Sequence, residues 1–556
     1  MDDTKKVAFW KNEKLWNIIL VVMVMEFYLY DLRGNFTFLI IYFPLSALIK
    51  IYQTKDFKKS AEYIITALIA TGAFILYKMG FYVNDSFVLL LIVVIVSIGQ
   101  TVKDSSNHKA LQIIAFVLIL PLSMTINFYN TKDKLIKDSY LEKRIKEDLA
   151  LPKKHELTLK DLENIEYLYI SGYKIKKIDG IENLKNLKTL SIWSDHIIDI
   201  ELINSLSNLK ELDLGDIKSK DLYFIKGLKN LEELRIYGAQ IDSLKGIENL
   251  KNIKKLSINT ITNEDLNFLT THLNTLESLD LSSCTVIGID LNILSKFKNL
   301  KSLNLRKSYI NNLSFIKNVP SLEDVDLSEN RIPDLSPLLT LKNLKKLNIG
   351  SIKITENLEL ISNLINLEEL DISDTPIEDL KILKNLKNLK VLTIGSIGSS
   401  KDPKLPQNME VLNKLTNLKE LNADNLEIEN LSFIKDLKSL ETISMNNNNI
   451  SNIEILKNFT NLKDLSLWEN NIKSIYALSN LTNLERLSLG DNDIEDISPL
   501  KNLTNLKRLY LGSNHISNIE ALYNLKNLES LHLEHNKIAN YDPIEDLPHI
   551  DIKKVK

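Results

Sequence analysis

The sequence predicts an α/β solenoid, a horseshoe with a parallel β-sheet on its concave face, joined to an N-terminal all-α transmembrane helix bundle. Three observations predict it. Residues 465–538 read LSLWENNIKSIYALSNLTNLER, LSLGDNDIEDISPLKNLTNLKR, LYLGSNHISNIEALYNLKNLES and LHLEHNKI, so the pattern has a 22-residue period, the mark of stacked units. Each unit opens with a Leu-x-Leu strand and places an Asn three residues after the second Leu, at Asn470, Asn492, Asn514 and Asn536. The stretch 1–130 is instead dominated by long apolar runs.

Those runs cover 15–30, 36–52, 61–77, 87–102 and 110–128. Each approaches the roughly 17 to 25 residues that a helix needs to cross a bilayer core. A run such as FVLLLIVVIVSI has no polar face, as expected of a helix surrounded by lipid. The sequence therefore predicts a five-helix transmembrane module over 1–130. With the N-terminus inside, Lys5, Lys6, Lys11, Lys14, Lys55, Lys58, Lys59, Lys103 and Lys109 fall on the inner side, against Arg33 and Lys78 outside. The positive-inside rule favours that arrangement. It places the repeats outside the cell, although Lys132, Lys134, Lys137, Lys143, Arg144 and Lys146 then also lie outside.

Residues 131–154 carry apolar positions Leu135, Ile136, Leu141, Ile145 and Leu149 at helical spacing before Pro152, which predicts a charged helical stalk or cap. From 155 to 556 the first strand leucines fall at 168, 190, 212, 234, 256, 279, 303, 347, 370, 392, 421, 465, 487, 509 and 531, with Val325 and Ile443 in the same series. That is 17 units. The step from Leu392 to Leu421 is the longest of the series, and predicts a loop insertion at 395–408. No unit can bury its own leucines, so neighbours must stack, and the Asn amides can pair with backbone groups left inside where the chain leaves the strand. Asp195, Cys284, Ser308 and Thr375 take the Asn position in other units.

The runs DISPLKNLTNLKRLYL (496–511), DLSPLLTLKNLKKLNI (334–349) and NIEALYNLKNLESLHL (518–533) resemble the 22-residue leucine-rich repeats of internalins and related bacterial surface proteins. The resemblance covers residues 155–552. It implies a non-catalytic protein that binds protein partners with the concave strand face. The sequence has no LPxTG motif.

Composition adds exclusions. The formal net charge of -3 gives no argument for nucleic acid as a partner, since phosphate binding requires a basic surface. A single cysteine, Cys284, rules out an intrachain disulfide framework, and as a ladder substitute it is read as a buried thiol. The eight His show no metal-ligand spacing. No catalytic triad or phosphate loop stands out from the repeats, so no cofactor, metal or enzymatic activity is expected.

What remains is the strand surface. Residues one before, one after and three after each first leucine face outward. They include Trp193, Arg235, Tyr237, Arg306, Asp324, Asp326, Asp371, Trp468, Arg508 and Tyr510, the expected ligand-binding residues. Over all strands these positions hold twelve acidic and six basic residues, which favours a protein or peptide ligand with a basic surface. The alternative is a transporter or membrane enzyme in the helix bundle, with Glu26 in its first segment as the functional carboxylate and the repeats as a sensor.

Overall fold

The computed structural model describes residues 134–354, 357–396 and 405–550. The five apolar segments and residues 397–404 of the insertion lie outside those residues. The chain divides into two units, Met1–Lys134 and Leu135–Lys556, and apart from Lys134 the described residues belong to the second. Among them no helix is long and apolar enough to cross a membrane.

Seventeen parallel strands form one sheet, from Tyr167–Ser171 to Ser530–His532. The repeat positions pair in register with their counterparts one unit on, as in Leu168 with Leu190 and Leu509 with Leu531. Leu392 pairs with Leu421 in the same way, so the register passes the insertion unshifted. These leucines are buried in one continuous core, each contributing roughly 2 kcal/mol by leaving water. So short a unit leaves little chain for the return path. Single 3-10 turns therefore make it, for example Glu454–Asn458, Tyr476–Leu478 and Ser498–Asn502. The unit between Leu256 and Leu279 differs: Thr262 and Asp265 form a reciprocal capping box that starts a full α-helix, Asn263–His272. That box satisfies two otherwise unpaired N–H groups, so the longer helix is stable there.

The asparagine column does what its chemistry allows. The Asn470 amide donates to the Met445 and Leu467 carbonyls at 3.0 and 3.2 Å, and its oxygen accepts from the Ile450 N–H at 2.9 Å. Asn492 and Asn514 repeat the pattern. Ser308 and Thr375 each donate to one such carbonyl, of Leu281 and Ile349. Cys284 is buried, and burial pushes its thiol up. Asp195 is a correction. It is exposed and pairs with Lys218 at 3.0 Å, while the neighbouring Ser194 turns inward and donates to the Gly172 carbonyl. An ionised carboxylate has no proton to give an inward carbonyl, so a hydroxyl takes the place. A second asparagine column runs outside the core, where Asn483, Asn505 and Asn527 donate to the carbonyls of Thr460, Thr482 and Thr504. It explains the second Asn of the NLTNL consensus.

A charge ladder borders the sheet. The residue two before each first leucine alternates in sign over most of the length, giving ion pairs one repeat apart: Lys188 with Glu166, Lys254 with Glu232, Lys345 with Glu323, and Lys507 with Glu485, each at 2.7 Å. Glu441 bridges Lys419 and Lys463. Hydrogen bonds from Lys463 and then Lys419 hold its carboxyl down to about 2.

The first unit is covered by the helix Ser139–Asp148. Asp138 caps it by accepting from the Tyr140 and Leu141 N–H groups, and Leu141 and Ile145 are buried beneath it. Asn183 donates to the Leu135 carbonyl, and Lys137 N–H to that of Asp179. Gly180 lies at φ +99°, where a side chain would also strike the Leu135 backbone. Such a cap keeps the leucine column from ending in water.

Candidate binding face

The strand face presents the three outward positions of each unit in parallel rows, because register is constant along the sheet. It brings the ten expected residues into three groups, set apart along the sheet. Trp193, Arg235 and Tyr237 lie near its start, Arg306, Asp324, Asp326 and Asp371 in the middle, and Trp468, Arg508 and Tyr510 near its end.

In the first group Trp193 and Tyr237 stack with ring centres 6.1 Å apart. Gly215 lies between them in the same row. Any Cβ on Gly215 would run into the Trp193 ring, so the indole lies down on the sheet. Its Nε1 donates to Ser191 at 3.2 Å. Arg235 is held by Asp213 at 2.7 Å and by Glu233. Three charges are thus consumed within the face rather than offered to a ligand.

The middle group is acidic and half-buried. Asp326 accepts from the Ser328 N–H and hydroxyl at 2.9 and 2.6 Å, and Asp371 does the same with Ser373 at 2.9 and 2.6 Å. Ser302 donates to Asp324. Burial pushes the Asp324 and Asp326 carboxyls up, and the neighbouring Glu369 and Asp371 carboxylates act in the same direction. Arg306 pairs with Glu329, and Lys346 with Glu369 at 2.6 Å. Hydroxyl and amide donors hold the aspartates in place, and Lys346 beside Asp324 and Arg306 near Asp326 offset their charge only in part, since burial still leaves both carboxyls raised.

In the last group Trp468 is 42% exposed and lies against Gly490, its Nε1 donating to Asp491 at 2.7 Å. Tyr510 and His532 rings meet at 4.9 Å, and the Arg486 guanidinium sits 6.0 Å from the Tyr510 ring. Arg486 also reaches Asp464 at 3.5 Å. Residues that sequence reasoning missed are Gly215, Gly490 and Asp491. Their signal was present, since each glycine stands one full repeat after its tryptophan. Among the described residues no three His, Cys, Asp or Glu side chains converge as metal ligands.

Residues 460–502 and 504–549 match the family described as Leucine Rich repeats (2 copies). No curated protein matches the chain. Solved structures that do include an internalin from Listeria monocytogenes, 25% identical over 75% of this chain and 95% of that one, with a TM-score of 0.31. A leucine-rich-repeat protein of Leptospira interrogans is 25% identical over 71% of this chain and 95% of its own, with a TM-score of 0.43. A TLR13–ssRNA13 complex is 21% identical over 64% and 67%, with a TM-score of 0.40. At those scores the superpositions place no site on this chain. Register-matched strands and a buried asparagine column make the described part a leucine-rich-repeat solenoid, and the family match covers its last units.

Proposed function

We propose that this is a membrane-anchored, non-catalytic recognition protein that holds a protein or peptide partner on the concave strand face. The observation that carries the reading is the acidic middle group. Asp324, Asp326 and Asp371 are kept half-buried on nearby strands and held by hydroxyl and backbone donors, and burial raises the carboxyls of Asp324 and Asp326. Like charges close together on a sheet face repel unless an opposite charge covers them. A partner with a basic surface supplies that cover, and its approach is steered by the summed field. The rigid aromatics at either end of the sheet add contact area of the kind that anchors interfaces. Trp193 and Trp468 are 12 strand steps apart, on the order of 60 Å at the usual spacing, so one small molecule cannot reach both.

Nucleic acid is not the proposed partner, because an acidic row repels phosphates. The test is association kinetics with the full chain once a basic partner is in hand. Replacing Asp324, Asp326 and Asp371 together by Lys should slow association by at least tenfold and flatten its salt dependence, whereas Lys501→Ala on the return side should leave both unchanged. Equal effects from the two changes, or tighter binding of single-stranded RNA than of basic protein, would overturn the reading.

A further inference from the structure

The last strands carry chemistry opposite to the middle of the face. Arg486 and Arg508 stand side by side one residue before their strand leucines, paired in register. Arg486 has a partner in Asp464, whereas Arg508 is exposed and makes no ion pair among the described residues. Two guanidinium groups on adjacent strands repel each other; Asp464 acts on both, and Glu485, which acts on Arg508, is already hydrogen-bonded to Lys507. On the unit before them Trp468 lies with the pyrrole edge of its indole against Gly490 and its Nε1 donating to Asp491, and the side chain stays 42% exposed. In the next unit Gly512 leaves similar room for the Glu534 side chain, and no bulky group rises between the two residues in that row. Tyr510 and His532 fill the space between the arginine row and this floor.

We propose that this end of the strand face is a separate subsite for an acidic, aromatic-bearing peptide segment of the same partner; it rests on the proposed role of the face in protein binding. The ring of the segment stacks on Trp468, and its carboxylate pairs with Arg508, the geometry that guanidinium groups favour. Two strand spacings across and four residues along separate the two anchors, about 16 Å. An extended peptide covers that distance with the two groups some four or five residues apart. The partner then carries a basic patch for the middle of the sheet and an acidic segment for its end, and only one polarity of docking satisfies both.

The experiment is fluorescence anisotropy of two labelled peptides on the full chain, Phe-Gly-Ser-Gly-Glu-Glu and its counterpart ending Lys-Lys. The acidic peptide should bind at least fivefold more tightly than it does to Arg508→Glu or to Trp468→Ala, and Lys501→Ala on the return side should not weaken it. Arg508→Gln, which introduces no new charge, should lose most of the same affinity. Acidic-peptide binding that ignores both Arg508 changes overturns the subsite. The lysine peptide reports on the middle group instead: its insensitivity to Asp326→Lys counts against the broader reading, whatever the acidic peptide does.

Discussion

Asp326 accepts two hydrogen bonds from Ser328 and is still pushed up by burial. The folded chain therefore holds that proton more tightly than the unfolded chain, whose carboxyl stays near 3.8. Ionising it costs the fold stability at neutral pH, and the cost fades as pH falls through the raised folded value towards 3.8. Asp326→Asn should accordingly raise the melting temperature at pH 7, with a gain that shrinks at pH 4. A thermal unfolding series in both buffers checks this; a gain that grows on acidification would refute it. Glu441 works in the other direction. Its carboxyl is held at about 2, so its stabilisation is present above the unfolded value of 4.5 and is lost as pH falls from there towards 2. The same residue types thus behave in opposite ways: Glu441 beside the strands is matched by two lysines, whereas Asp326 in the middle of the face is held by Ser328 and only partly offset by Arg306.

A single unit shows why the repeat was readable and where it misleads. Leu487 is fully buried and paired with Leu465 and Leu509. Replacing it by Asp removes an aliphatic side chain worth roughly 2 to 5 kcal/mol and buries a carboxylate at a cost of several more. Circular dichroism should lose the signal of several neighbouring units, and limited proteolysis should cut first near 487; an unchanged digest would mean that the inward assignment is wrong. Strand positions were legible because a two-residue period inside the longer repeat leaves one register that buries every leucine. The ladder substitute at Asp195 was misjudged because spacing counts positions, whereas the interior asks for a donor, which Ser194 has. The glycines under Trp193 and Trp468 escaped notice because they matter only in relation to the strand before them. Charge at the outward positions was legible, but how much of it the face itself consumes, as at Arg235, needed side-chain geometry.

For the whole molecule, the apolar segments between positions 15 and 128 set the expected address of the solenoid. The proposed orientation, with the N-terminus inside and five spans, would put the repeats outside the cell. Protease treatment of intact cells should then degrade residues 155–556 and spare a membrane-embedded fragment. Protection of the repeats until the membrane is breached would reverse the orientation and place the partner inside. The residues that decide between these outcomes, Lys55, Lys58, Lys59, Lys103 and Lys109 against Lys132, Lys134 and Lys137, all lie within the first quarter of the chain.

The lysine–glutamate ladder beside the sheet also constrains how such a gene can lengthen or shorten. Copying or deleting one unit sets like charges side by side, whereas a change of two units keeps the alternation. Removing residues 485–506 would bring Lys463 next to Lys507, while removing 463–506 would leave Lys507 beside Glu441. The melting temperature of the single deletion should therefore rise with added salt more than that of the double one, because salt screens the exposed like-charged pair. The ladder already breaks twice, at Lys188 with Lys210 and at Lys390 with Lys419, and the second break coincides with the long step from Leu392 to Leu421.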